Sequence, residues 1–215
     1  MDPIAIEEAR LWYQDADPVH DFDHVLRVYR IAERLAKAEG ADLAIVRAAA
    51  LLHDSRGSAP GGEGTARAEH HIASAQFARA ILAEKGWPDN QIHAVQHCIR
   101  AHRYRGQEDK PETLEAKVLF DADKLDVLGA IGAARTIAYA ALDGEPSYAE
   151  PSEQFLETGK KESGEPHSSY HEFLFKLRKV KDRMFTDSGK ALAAARHAYL
   201  VGFYKELQAE MRGER

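Results

Sequence analysis

Apolar side chains recur every three or four residues along almost the whole of this 215-residue chain. This spacing restricts the fold more than any other feature, because it lines up side chains on one face of an α-helix, whereas strands require alternation at every second residue. No segment of several residues sustains such alternation. The pattern therefore predicts an all-α fold, a helical bundle in a single domain with two C-terminal helices packed on it.

Glycine, proline and charged residues mark where the predicted helices end. Gly40 closes one helix, and Asp42 is a candidate N-cap of the next. Residues 55–65 contain four glycines and a proline, which predicts a loop. Farther along, the pattern predicts one long helix at 113–142, a loop or lid at 143–169, and helices at 170–184 and 187–210.

Four histidine and aspartate side chains, which are common metal ligands, lie in or at the end of apolar helical segments: His24, His53, Asp54 and Asp123. Burying imidazole or carboxylate is costly unless a partner compensates it. A divalent cation does so, because neutral histidine nitrogen and carboxylate oxygen together suit first-row metals. By pattern alone, polar side chains satisfied within a core explain the four positions about as well.

A second set of histidines comprises His70, His71, His97 and His102. His70 and His71 both lie on partly apolar helix lines, so periodicity does not choose between them. His97 and His102 are five residues apart, so we expect only one of them to face the site. Four other histidines are interpreted as surface or packing residues: His93, His167, His171 and His197.

Four cationic side chains lie within a few residues of these positions: Arg27, Arg56, Arg103 and Lys124. Arginine contacts phosphate through two hydrogen bonds and lysine acts as a point charge. Each one alone is well explained as a solvated surface charge. Together the four predict a phosphate-binding site.

The composition excludes several classes of partner. A net charge of −6 argues against broad binding to nucleic acid or to anionic membranes. No apolar run approaches the roughly 20 residues that span a bilayer, and the acidic N-terminus does not read as a signal peptide. Cys98 is the only cysteine, which fits a reducing compartment, and we interpret it as a small core or near-surface residue. We therefore expect a cytoplasmic protein.

Five motifs follow one another between about His20 and Tyr148: HDFDHVLRV, AAALLHDS, HHIASA, IRAHR and DADKLDVLGAIGAAR. Their order and spacing resemble the HD-domain superfamily of metal-dependent phosphohydrolases, in particular its bacterial stand-alone members. The resemblance implies one HD-type domain over 1–215. Within it lie an all-helical core at 18–142, a loop or lid at 143–169, and C-terminal helices at 170–213.

The resemblance also implies a ligand set. His24, His53, Asp54 and Asp123 match the metal ligands of the superfamily, in which the aspartate directly before lysine or arginine is usually the ligand. That points to Asp123 over Asp121. The metal stays open among Mn, Fe, Co, Ni, Mg and Zn, because availability and geometry decide it.

The implied mechanism is attack on phosphorus by a metal-activated water, with no covalent intermediate. Asp54 would bridge metal and water. His70 or His102 would protonate the leaving oxygen or bind phosphate, and Lys124 and Arg27 would contact phosphate. The expected partner is a small phosphate ester, in particular a nucleotide. The expected activity on it is that of a pyrophosphohydrolase or of a phosphatase.

The chain departs from the two-metal phosphodiesterases of the superfamily. Their His-His-Glu triplet corresponds to Ala101, His102 and Arg103 here, and their glycine-tyrosine-proline segment is absent. This argues against a full second metal site and against cyclic-dinucleotide hydrolysis. Two alternatives stay open, a di-iron oxygenase that needs both His70 and His102, and a non-catalytic nucleotide sensor. A homo-oligomer stays open as well.

Overall fold

Every regular element in the described part of the chain is helical, which confirms the all-α prediction. The computed structural model describes residues 3–13, 22–56, 65–106 and 109–215. Two short 3₁₀ helices lie at Leu11–Tyr13 and Leu177–Arg183. The α-helices are α1 (Ile6–Arg10), α2 (Phe22–Glu39), α3 (Leu43–Leu52), α4 (Thr65–Glu84), α5 (Asp89–Ala101), α6 (Leu114–Leu125), α7 (Gly129–Leu142), α8 (Glu153–Thr158), α9 (Ser169–Phe175) and α10 (Asp187–Met211).

The chain divides into two compact units. The first comprises Met1–Lys124 with Met184–Gly189, and the second comprises Leu125–Arg183 with Lys190–Arg215. The predicted single domain over 1–215, with its core at 18–142 and its loop or lid at 143–169, stays a prediction. Most of the predicted glycine-rich loop at 55–65 lies outside the described residues.

In the first unit, α3 is enclosed by neighbouring helices. It contacts α1, α2, α4 and α5, and it is buried at Val46 and at every residue from Ala48 to Leu52. Its first turn is capped as predicted, because the Asp42 carboxylate accepts hydrogen bonds from the backbone N–H groups of Ala44 and Ile45. The helix therefore carries the two residues that follow it, His53 and Asp54, into the interior of the unit.

Cys98 lies on α5, which packs against α3 and α4. Its side chain is fully buried, and burial raises the pKa of the thiol. The cysteine therefore lies in the core, which is one of the two positions predicted for it.

The single long helix predicted at 113–142 is wrong, because the chain breaks between α6 and α7. Gly129 has a φ of +73°, a left-handed conformation that favours glycine. Buried Asp126 pairs with Arg135 beyond the break. Gly132 is needed as well, because a Cβ there would lie 2.2 Å from the Val127 carbonyl oxygen.

The helix predicted at 170–184 is also wrong as one element, since α9 gives way to the 3₁₀ helix Leu177–Arg183. Lys176 leaves the α-helical region with φ −123° and ψ −56°. Leu177 and Val180 are then buried at a spacing of three residues, which is the repeat of a 3₁₀ helix. The final predicted helix is confirmed to within one residue, as α10.

The segment predicted as a loop or lid contains α8 and is organised around one carboxylate in the second unit. Glu165 accepts hydrogen bonds from the backbone N–H and hydroxyl of Ser152, at 2.7 and 2.8 Å, and from the backbone N–H of Glu162, at 2.7 Å. Nε2 of buried His171 lies 3.0 Å from the same side chain. The Ser152 backbone hydrogen bond is the largest influence lowering the pKa of Glu165 to about 2. His171 is thus a packing residue, one of the two interpretations predicted for it.

Among the described residues, no one helix is both long and apolar enough to cross a membrane, and α6 and α7 reach that length and composition only when counted together.

Candidate metal centre

Six histidine and aspartate side chains from five parts of the first unit form two groups of three. In each group, the possible ligand atoms all lie within 4.8 Å of one another. His24 lies on the first turn of α2, His53 and Asp54 directly follow α3, and Asp123 lies near the end of α6. The groups are His24, His53 and Asp123, and Asp54, His70 and His102.

Asp54 connects the two groups, because each of its oxygens faces one of them. Oδ2 lies 3.8 Å from Nε2 of His24 and 3.6 Å from Nε2 of His53. Oδ1 lies 3.0 Å from Nε2 of His70 and 3.4 Å from Nε2 of His102. Removing this carboxylate would therefore disturb both groups at once.

Distances within the first group suit ligands of a common cation. The Nε2 atoms of His24 and His53 are 3.4 Å apart, and Nε2 of His24 is 3.5 Å from Oδ1 of Asp123. Ligands about 2.1 Å from one metal are themselves roughly 3.0–3.4 Å apart in octahedral or tetrahedral geometry. The group needs little rearrangement to hold an ion.

Backbone carbonyls orient two of the rings. Nδ1 of His53 lies 2.8 Å from the carbonyl oxygen of Ala50, and Nδ1 of His102 makes the same contact with Ile99. A carbonyl only accepts, so each Nδ1 carries a proton that it donates. A carbonyl that accepts the Nδ1 proton in this way leaves the Nε2 lone pair for a metal.

Burial and neighbouring charges keep His53 neutral, and they keep Asp54 and Asp123 ionised, near pH 7. Burial lowers the pKa of His53 to about 4. Burial raises the pKa of Asp54, but attraction to the neighbouring imidazoles outweighs it, and the pKa lies well below its usual range. Asp123 behaves in the same way, with Lys124 as its main opposing charge. Neutral nitrogen beside ionised oxygen is the protonation state that metal ligands require.

These residues fit a divalent cation. Asp54 Oδ1 is buried and lacks an aligned hydrogen bond from the described residues, although the two histidine nitrogens lie near it. A buried carboxylate oxygen in this state is costly without a nearby cation. The mixed nitrogen and oxygen donors suit a first-row metal or magnesium.

Asp121 and Asp123 have different surroundings. Asp121 is fully buried and accepts hydrogen bonds from the backbone N–H groups of Phe185 and Thr186, at 2.9 and 2.8 Å, and from the Thr186 hydroxyl, at 2.7 Å. Asp123 is the one grouped with His24 and His53. The arrangement agrees with the choice of Asp123 as the candidate ligand, and Asp121 serves the fold.

The structure also separates the ambiguous histidines. His70 and His102 belong to the second group, whereas His71 and His97 belong to neither group. Nε2 of His97 instead accepts a hydrogen bond from the backbone N–H of Glu112, at 3.2 Å. As expected for two residues five apart, only one of His97 and His102 faces the site.

Two of the predicted phosphate ligands lie against the groups. Lys124 Nζ is 2.6 Å from Oδ2 of Asp123 and donates to the His102 carbonyl at 3.1 Å. Nη1 of Arg103 is 2.9 Å from Nδ1 of His70.

The other two predicted phosphate ligands are placed differently. The exposed guanidinium of Arg56 lies 3.7 Å from the centroid of the Phe77 ring. Arg27 is half-buried on α2, close to one turn after His24. A role of these four cations in phosphate binding stays a prediction.

Tyr13 is a residue near the site that sequence reasoning missed. Its buried hydroxyl donates to the carbonyl of Leu51 at 2.9 Å, next to the end of α3 that carries His53 and Asp54. Burial and the Asp54 charge raise its pKa, so the hydroxyl stays a donor. A lone tyrosine in a short helical segment gives no signal for this contact.

Comparison with known proteins identifies relatives over most of the chain. A family model described as the HD domain matches residues 21–128. An uncharacterized protein of Bacillus subtilis, YpgQ, is 32% identical over 213 residues, which cover 96% of this chain and 94% of YpgQ.

Two solved structures extend the comparison. The crystal structure of Bacillus subtilis YpgQ in complex with ADP has a TM-score of 0.72 at 29% identity, covering 95% of this chain and 94% of the other. The structure of an HD-superfamily hydrolase from Bacillus thuringiensis has a TM-score of 0.71 at 28% identity, covering 96% and 94%.

Proposed function

This chain belongs to the HD domain family, and on that premise we propose that it is a metal-dependent phosphohydrolase acting on a nucleotide. The single observation that carries the proposal is the convergence of His24, His53 and Asp123 with Asp54 beside them. The similarity to a protein crystallised with ADP supports a nucleotide as the ligand. Two classes of product are open, phosphate from a phosphatase and pyrophosphate from a pyrophosphohydrolase.

In this proposal His24, His53, Asp54 and Asp123 hold a divalent cation. When bound, the cation would lower the pKa of a coordinated water and polarise phosphoryl oxygens. The ionised carboxylates of Asp54 and Asp123 supply the negative charge that retains it.

Other side chains act on the substrate and the water. Asp54 Oδ1 lies between Nε2 of His70 and Nε2 of His102, and it is the candidate to accept a further hydrogen bond from the attacking water and to orient it. His102, whose Nδ1 donates to the Ile99 carbonyl, has an unprotonated Nε2 that would first take up the proton released by the attacking water and then pass it to the leaving oxygen. Lys124 donates to Asp123 and to the His102 carbonyl, which leaves its third N–H for a phosphoryl oxygen.

Reaction in oxygen-18 water tests direct attack by water. We expect one labelled oxygen in a product phosphate, without a phospho-enzyme, because no side-chain nucleophile is assigned to the site. A nucleotide panel with Mn²⁺, resolved by chromatography, then separates monophosphate plus pyrophosphate from nucleoside plus phosphate.

Two results would overturn the proposal. Strict dependence on molecular oxygen with two irons per chain would identify the oxygenase, for which the second group supplies both His70 and His102. Binding of a nucleotide without turnover of any phosphoester, with metal present, would identify a sensor.

Replacing Lys124 by alanine should weaken catalysis without emptying the metal site. Loss of one charge-assisted hydrogen bond to phosphate costs about 1.5–3 kcal/mol, which corresponds to a fall of roughly 10- to 100-fold in kcat/KM. Metal content by elemental analysis should stay unchanged. Lys117→Ala, on the same helix, is the matched control and should behave as the unchanged protein. Equal kinetics for both variants would make Lys124 a structural partner of Asp123 only.

A further inference from the structure

We propose that Arg103 prevents His70 from acting as a metal ligand and so limits the centre to one cation per chain. The inference rests on the proposed metal centre, and it assigns Arg103 the role of a positioning residue for His70. It concerns the second group, Asp54, His70 and His102, whose donor atoms are close enough together for a second cation.

The imidazole rings of His53, His70 and His102 differ in the hydrogen-bond partner of Nδ1. For His53 and His102, Nδ1 faces a backbone carbonyl oxygen. For His70, Nδ1 faces Nη1 of Arg103 at 2.9 Å. A carbonyl is only an acceptor, and a guanidinium is only a donor. The two environments therefore demand opposite tautomers of the ring.

The tautomer decides whether a ring can bind metal. Because Nδ1 of His70 accepts a hydrogen bond from Arg103, it carries no proton, and the proton of the neutral ring is on Nε2. Nε2 lies 3.0 Å from Oδ1 of Asp54 and is the atom that would have to coordinate. A protonated nitrogen has no lone pair to give, and Nδ1 is already occupied.

The second group is thus reduced from three donors to two, Asp54 and His102. Metal sites in proteins usually need at least three protein ligands, so this pair is too small to retain an ion. The half-buried positive charge of Arg103 beside His70 adds repulsion toward a second cation. Both effects come from one side chain, which makes the proposal testable by one substitution.

The tautomer can be read directly in the unchanged protein. Long-range ¹H–¹⁵N spectra of the full chain labelled at histidine, loaded with diamagnetic Zn²⁺, distinguish protonated from unprotonated ring nitrogens. We expect His70 to carry its proton on Nε2, and His53 and His102 to carry theirs on Nδ1. A proton on Nδ1 of His70 would overturn the proposal.

Metal counting tests the consequence. After equilibrium dialysis against increasing Mn²⁺, elemental analysis should approach one ion per chain for the unchanged protein and two for Arg103→Met. An electron paramagnetic resonance signal of a coupled Mn²⁺ pair should appear only in that variant. Arg105→Met, which removes the same charge two residues away, should stay at one ion. The double variant Arg103→Met with His70→Gln should return to one ion.

The outcomes separate this inference from the proposed function. Two ions in the unchanged protein, falling to one in His70→Gln, would overturn the inference, and so would a single ion in Arg103→Met. One ion per chain with the expected tautomers, but without hydrolysis of any phosphoester, would support the role of Arg103 and overturn the proposed function.

Discussion

Replacing Asp54 by alanine is expected to cost both the metal and the activity while the fold is kept. The two oxygens of Asp54 face the two groups separately. Loss of a residue that merely orients a ligand lowers metal affinity or activity by about 10- to 100-fold, so loss of a ligand should lower both by roughly 100-fold or more. Elemental analysis and nucleotide turnover measure the two effects, and circular dichroism measures helix content.

Asp23→Ala is the matched control. Asp23 is an exposed carboxylate next to His24 on α2, so this change removes an equal charge from the neighbourhood but not from either group. Its metal content should equal that of the unchanged protein. If Asp54→Ala also kept its metal, the proposed ligand set would be wrong.

The aspartates at 121 and 123 are expected to fail in opposite ways when each is replaced by alanine. Asp121→Ala removes the acceptor of three hydrogen bonds, and it leaves two buried donors of Thr186 and the partly buried N–H of Phe185 without it. Unsatisfied buried donors cost about 1–3 kcal/mol each, so the free energy of unfolding should fall by roughly 3 kcal/mol or more. Urea unfolding measures the loss, and the folded fraction should still bind metal.

Asp123→Ala should show the reverse. It removes a carboxylate that is only 17% exposed from the metal group, so bound metal should be lost. The free energy of unfolding of the metal-free protein should fall by less than in Asp121→Ala, because the hydrogen-bond donor to Asp123 is the Lys124 side chain and not a set of backbone N–H groups. If Asp121→Ala lost its metal while its free energy of unfolding stayed unchanged, Asp121 and not Asp123 would be the metal ligand. The close packing at Asp121 argues against that result, because a Cβ on Gly189 would lie 2.3 Å from its Oδ2.

Local sequence signals sufficed for the helices whose ends are set by nearby residues. The Asp42 cap, the end of α2 at Gly40 and the extent of α10 follow from side chains within one or two turns. The sequence does not predict the break after α6, because apolar spacing continues through it. What stops the helix there is a buried pair between Asp126 and Arg135, nine residues apart, together with a left-handed Gly129.

In the candidate site, too, some features follow from local sequence and others depend on how the helices pack. The motif spacing selected residues that the fold brings together, and for Asp123 it chose the one beside the histidines. Periodicity was unable to separate His70 from His71, because both helix lines were partly apolar. The position of Arg103 against His70 depends on how α4 packs on the chain after α5, and no local pattern encodes it. That these residues bind metal and phosphate stays a prediction.

The buried thiol of Cys98 has a practical consequence for work in solution. It is the only sulfhydryl in the chain, and in the folded state it is enclosed and its pKa is raised, so alkylating reagents meet almost no thiolate. A cysteine introduced on the surface would therefore take up a fluorophore or spin label selectively, without removal of the natural one. The rate of slow modification of Cys98 would report how often α5 opens. This helix packs against α3, which His53 and Asp54 directly follow.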